Sequence, residues 1–337
     1  MNKKKFVKKT PKKEIPQEKV LYKKPRLKVA VFHHISRLFI PEALLIPFIL
    51  VNLLLIGACL IMLDRISHEQ FLEEIEIGNK TVTVPELSSS LPLSINARSY
   101  IVYDPTSRVV VDGKNEFLQF APASATKMMT ALVVLDHYKP EDVVIARNVF
   151  QVKGSKMNLI EGEAMVVKDL LYGLMLPSGN DAAFVLAQNY PGGQDEFIKA
   201  MNEKAKALHL YNTKFMDPSG LRDDNYTTAY DLSRIGSAVL KHPLLSEIVK
   251  TQFITVYNTA FTSSYNLQNL NELLYDPQVV GVKTGYTDEA SGVLVTGYNY
   301  NGRIYIVVVL KSADRFTDTQ QIIYGIIPQV KLVTYGR

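Results

Sequence analysis

The run Ala43–Leu63 (ALLIPFILVNLLLIGACLIML) constrains this chain more than any other feature: 21 consecutive residues carry no charge. About 20 helical residues cross the apolar core of a bilayer, and uncharged runs of this length are rare in soluble cores. The sequence therefore predicts one transmembrane helix, with Pro47 and Asn52 tolerable inside it. Charge sets its orientation. Residues 1–37 hold 13 Lys/Arg and two acids, a net +11, whereas the remaining 300 residues have a net charge of −6. Asp64, Glu69, Glu73, Glu74 and Glu76 follow the run directly. The positive-inside bias makes residues 1–42 a cytoplasmic tail and puts everything after about residue 64 on the far side of the membrane. The tail is read as a topology signal, and no nucleic-acid partner is expected from it.

The charged and apolar parts are both longer than in a cleaved signal peptide, so an uncleaved anchor is expected. Ile56-Gly57-Ala58-Cys59 loosely matches a lipoprotein cleavage box. The stretch stays apolar through Leu60–Leu63, and Cys59 reads as an ordinary lipid-facing or packing residue. As the single cysteine, it excludes internal disulfides, a cysteine zinc site and an iron–sulfur centre. Residues 64–93 carry Pro85, three serines (88–90) and Pro92 without a long apolar period, and read as a spacer. A folded body is expected over 94–330, with a short tail at 331–337.

Within the body, Ser99–Asp104 and Val109–Val111 read as strands around a turn. Helical patterns follow at 124–138, where apolar residues lie nearly all round, and at 166–176, 181–190 and 195–210. Thr228–Asp231 is a candidate capping box opening another helix. Strands return at 279–286, 292–298 and 304–310, the last two flanking the hairpin signal Asn301-Gly302, before a final helix at 314–327. Strands from both ends bracketing a helical middle predict an α+β fold: an antiparallel sheet built from both chain ends, flanked by helices, with an inserted helical subdomain.

The chemistry narrows by elimination. Zincin, P-loop, dinucleotide-binding and nucleophile-elbow patterns are all missing, and the six histidines do not cluster. No metal or cofactor is expected. Three short patterns remain. Ser-x-x-Lys occurs once, at Ser124–Lys127, and Lys-Thr-Gly occurs once, at Lys283–Gly285. Of three Ser-x-Asn matches, only Ser178-Gly179-Asn180 lies at a turn between helices. Residues i and i+3 share a helix face, so the Lys127 amine comes within reach of the Ser124 hydroxyl. Desolvation in an apolar helix lowers a lysine pKa, and a neutral Lys127 can remove the serine proton as a general base. Unpaired N–H groups at the helix start favour a developing oxyanion there.

These residues resemble the serine-type D-alanyl-D-alanine carboxypeptidases, the low-molecular-mass penicillin-binding proteins of the β-lactamase/transpeptidase-like superfamily. The likeness covers about residues 95–327 and extends to Asp217–Leu221, Thr228–Leu232 and Gly281–Thr287. It implies a β-lactamase/DD-peptidase-like fold and roles for each residue. Ser124 would attack the carbonyl between two D-alanines of a peptidoglycan stem peptide, and Lys127 would take its proton. Ser178 would relay a proton to the leaving amine, and Asn180 would hold the acyl amide and Lys127. Lys283 would add positive potential, and Thr284 and Arg315 would bind the terminal carboxylate. Gly285 belongs to the substrate-binding strand, and the backbone N–H groups of Ser124 and Tyr286 would form the oxyanion hole. β-Lactams would acylate Ser124. The implied setting is the bacterial cell membrane, spanned once, with the catalytic domain outside. Some family members cut crosslinks as endopeptidases, which stands as the alternative. A β-lactamase is disfavoured because neither Glu196 nor Glu203 has the context of a deacylating glutamate. A non-catalytic wall-binding protein is disfavoured because every motif residue is present.

Overall fold

The structure, a computed structural model, describes residues 56–58, 82–88 and 93–335. The expected membrane helix at 43–63 lies outside the described residues, apart from one helical turn at 56–58. Among the described residues no helix is long and apolar enough to cross a membrane.

The body opens with β1 (Val82–Leu87), β2 (Ser99–Asp104) and β3 (Val109–Lys114), and a 3-10 turn at Ala123–Ala125 leads into α1 (Thr126–His137). A short ribbon, β4 (Val143–Ile145) and β5 (Ala164–Val166), precedes α2 (Val167–Met175), α3 (Asn180–Gln188) and α4 (Gly193–Ala207). Then come α5 (Ala229–Lys241), α6 (Pro243–Lys250) and a second ribbon, β6 (Phe253–Tyr257) with β7 (Ser264–Gln268). The chain returns to the main sheet through β8 (Val279–Thr287), β9 (Ser291–Tyr300) and β10 (Arg303–Ser312), and ends with α7 (Arg315–Gly325) and β11 (Val330–Tyr335).

The main sheet is antiparallel with strand order β3-β2-β10-β9-β8, so strands from both chain ends do lie side by side. The middle stretches of its central strands, Ile101–Val102, Val293–Val295 and Ile306–Leu310, are apolar because both faces are covered. Alternate residues point to opposite faces of a strand. Ile306, Val308 and Leu310 join the core beneath the helical middle, while Val307 and Val309 pack with Ile322 and Ile323 of α7. The β9–β10 turn is the one the sequence announces: Asn301 and Gly302 take φ of +51° and +78°, the paired left-handed geometry that matches strand twist. In the helical subdomain α1 is buried from Thr126 through Val134, and α4 faces the core with Phe197, Met201 and Ala205 at four-residue spacing.

Several expectations need correction. Val82–Leu87, within the stretch read as a spacer, is a strand, and it pairs with β11, most of which was read as a loose tail. Val82 lies opposite Tyr335 and Leu87 opposite Val330. The strand read as Val109–Val111 continues to Lys114 after a register shift opposite Val102/Tyr103. The capping box is half formed. Thr228 Oγ1 accepts from Asp231 N, but the Asp231 carboxylate accepts from Asn212 N and Thr213 Oγ1 and does not reach back. α6, the first ribbon and β6 were not anticipated, since each of these elements is eight residues or shorter.

Candidate active site

Ser124 sits in the tight turn ahead of α1, beside Ala123 at φ +46°. A left-handed alanine costs about 1–2 kcal/mol, and such strain persists only where packing holds it. Here β8 and the 217–220 loop do so. A methyl group built on Gly285 would lie 3.1 Å from Ser124 N, so the motif strand lies directly against the serine turn. One built on Gly220, at φ +82°, would fall 1.8 Å from the Ala123 carbonyl oxygen, so only glycine fits there.

Lys127 lies one turn on, wholly buried. Its Nζ is 2.9 Å from Ser124 Oγ and 2.8 Å from the Ser219 carbonyl oxygen. Burial brings the amine down to about 7, against a smaller upward pull from Asp217 and Asp181. Half of such amines are neutral at pH 7 and able to accept a proton from the adjacent hydroxyl.

Ser178 and Asn180 lie on the turn joining α2 to α3, both of which pack on α1. Ser178 takes φ +63°, the second strained residue of the site. Its Oγ and Asn180 Oδ1 are buried with no hydrogen-bond partner among the described residues, whereas Asn180 Nδ2 donates to Lys153 O at 2.8 Å. The implied bond from Asn180 to Lys127 is therefore not made; Lys127 is held by Ser124 and Ser219. Asp181, next in the chain, accepts from the backbone N–H groups of Met157, Asn158 and Leu159 and so fixes the loop facing that turn.

The third motif lies on β8, the edge of the main sheet. Lys283 is 1% exposed and donates to Thr284 O at 3.0 Å. Burial holds its amine well below the usual lysine range, and the positive charges of Lys127 and Arg315 press it lower. Thr284 is buried and Tyr286 exposed. As an edge, β8 presents backbone groups with no strand partner among the described residues, to which an extended peptide can add. Arg315, first residue of α7, stacks its guanidinium 4.6 Å over the Phe316 ring and leaves Nε buried without a partner among the described residues. Its charge is felt at Lys283, so Arg315 falls beside the third motif.

One participant carried no role in the sequence analysis. Asp217 accepts hydrogen bonds from the backbone N–H groups of Ser219, Gly220 and Arg222, and from Ser219 Oγ and Asn225 Nδ2, all between 2.6 and 2.8 Å. Burial pushes its carboxyl up, but these donors outweigh burial and hold it below the usual carboxylate range. The loop it closes aims Ser219 O at Lys127. Asp-Pro-Ser-Gly is a turn composition, but nothing local says which side chain the turn serves.

Residues 84–314 match the family model described as D-alanyl-D-alanine carboxypeptidase, peptidase S11. A D-alanyl-D-alanine endopeptidase of Pseudomonas aeruginosa is 35% identical over 240 residues, 69% of this chain and 77% of that protein. The D-alanyl-D-alanine carboxypeptidase DacF of Bacillus subtilis is 34% identical over 225 residues, 64% of this chain and 58% of that one. Among solved structures, the Streptomyces K15 DD-transpeptidase superposes with a TM-score of 0.66 at 32% identity, covering 70% of this chain and 98% of its own. The fold is thus the α+β DD-transpeptidase-like fold, and the chain belongs to the peptidase S11 family of serine D-alanyl-D-alanine carboxypeptidases, which act on peptidoglycan peptides and bind β-lactams.

Proposed function

We propose that this protein hydrolyses the terminal D-Ala-D-Ala bond of peptidoglycan stem peptides through an acyl-enzyme on Ser124. The observation that carries the reading is the Lys127 amine, 2.9 Å from Ser124 Oγ and brought by burial to about 7. Ser124 Oγ attacks the penultimate D-alanine carbonyl carbon as Lys127 Nζ takes its proton. The backbone N–H groups of Ser124 and Tyr286 receive the oxyanion. Collapse breaks the C–N bond, and the departing D-alanine amine takes a proton relayed through Ser178. Water, deprotonated by the same lysine, then releases the acyl group. Asn180 Nδ2 or Oδ1 engages the acyl amide, while Thr284 and Arg315 bind the terminal carboxylate beside the positive potential of Lys283. β-Lactams acylate Ser124 by the same attack. The uncharged run 43–63 anchors the protein in the bacterial cell membrane with its N-terminus cytoplasmic and the catalytic body outside.

A second reading, cleavage of D-Ala crosslinks, draws on the Pseudomonas relative, an endopeptidase matched over a larger share of its length than the Bacillus carboxypeptidase. Digests of monomeric and crosslinked muropeptides separate the two. Ser124→Ala tests the chemistry common to both: fluorescent-penicillin labelling and D-alanine release should disappear together. Undiminished release by that variant would end the proposal.

A further inference from the structure

Away from Ser124, at the other end of the strand order from β8, the turn between β2 and β3 meets α5 and the end of α4 around a cavity of about 540 Å³. Tyr103 and Ser237, 4% and 8% exposed, form its floor. Arg108, Arg234 and Lys241 stand around its rim. Neither Arg108 nor Lys241 has an ion-pair partner among the described residues, and no acid lines the cavity. Arg234 is steadied by the Tyr230 ring, 5.9 Å from its guanidinium carbon, and by a bond from Nη1 to His209 O at 3.3 Å. The Tyr103 and Ser237 hydroxyls have no hydrogen-bond partner among the described residues either, so the floor offers free donors beneath a cationic rim. Arg108 also takes φ +60°, a conformation that favours glycine or asparagine; a long cation is held there despite that cost.

A second recess of about 480 Å³ adjoins the first and shares Pro105, Ser237 and Lys241 with it. It runs on past Thr106 to Arg303 and is likewise lined by no acid among the described residues. Arg303 is neutralised by Asp104, so the unpaired charge concentrates in the first recess and at the shared wall.

From this pair of recesses we propose a binding site for a phosphodiester chain, independent of the chemistry at Ser124. Arg234 also feels the buried Asp231 carboxylate behind it, but no acid lines the cavity, and two guanidinium forks and an ammonium facing it suit the three-dimensional set of oxygens on a phosphate better than a single planar carboxylate. The concavity, with a nearly buried tyrosine at its base, admits an inserted chain and keeps a flat lipid surface from the floor. The shared wall at Lys241 places a second anionic group of one ligand beyond the first.

The test uses the full chain in non-ionic detergent and three probes: a glycerol-phosphate hexamer, inorganic phosphate, and phosphatidylglycerol vesicles. The hexamer should bind at least about tenfold tighter than inorganic phosphate, and more weakly as salt rises from about 50 to 200 mM. The exposed pair Arg108→Gln with Lys241→Gln should weaken it at least about tenfold. Penicillin labelling of Ser124 should be unchanged in that variant, which also reports that it folds; should labelling fail, each single variant is measured instead. Hexamer binding no tighter than phosphate, binding indifferent to the substitutions, or binding to the vesicles alone would each overturn the site.

Discussion

The ionisation of Lys127 should govern acylation. A lysine amine ordinarily titrates at 10.5, and here burial brings it to about 7. That gap corresponds to about 5 kcal/mol against the ammonium form in the folded protein. About half the molecules then carry a neutral amine at pH 7 and about a tenth at pH 6. The second-order rate constant for labelling by a fluorescent penicillin should therefore fall about tenfold per unit below pH 7 and level off above about pH 8. The same shift reaches stability. The folded-state pKa lies below the unfolded one, so between about pH 7 and 10.5 the unfolded chain binds the extra proton. The contribution of this group to stability rises across that window, and its full penalty remains below it. Tyr138 and Tyr172, raised to about 12 chiefly by burial, act oppositely above pH 10, so denaturation is best followed between about pH 7 and 9.5. A labelling rate flat from about pH 5.5 to 8, or with a midpoint near 10, would refute the reasoning: another group would then be taking the serine proton.

Gly285→Ala places a methyl 3.1 Å from Ser124 N and 3.2 Å from Ala123 Cβ, so β8 must retreat by a few tenths of an ångström. Labelling should slow by about tenfold with circular dichroism unchanged, and an undisturbed rate would show that the serine turn tolerates the shift. Arg303→Ala strips the cation from Asp104, whose carboxylate is wholly buried. Thermal denaturation should report a loss of about 3 kcal/mol, partly recovered by adding Asp104→Asn; no recovery would mean the arginine acts by packing alone.

What the sequence disclosed follows the range of the forces involved. Ser124 and Lys127 are three residues apart, and helix geometry joins them without reference to the rest of the chain. Asn301-Gly302 likewise carries its turn in two residues. The strand Val82–Leu87 had no such local voice: its partner lies near the other end of the chain, and Pro85 inside it argues against a strand. The service of Asp217 to Lys127 was equally silent. Its five short hydrogen bonds close a loop within nine residues, yet the carbonyl they aim, Ser219 O, meets an amine 92 positions away. The bond expected from Asn180 to Lys127 shows the opposite hazard. There a contact implied by resemblance is not made among the described residues, and Asn180 Nδ2 turns to Lys153 O instead.

Because Val82 faces Tyr335 across one ribbon, both ends of the described body leave from the same place, at about the 5 Å spacing of paired strands. Pulling on one terminus loads the other through six opposed residue pairs, so the body hangs from a two-stranded clasp. A fluorescent protein fused just past the last strand would jostle whatever chain feeds the first, and a long flexible extension is the practical remedy.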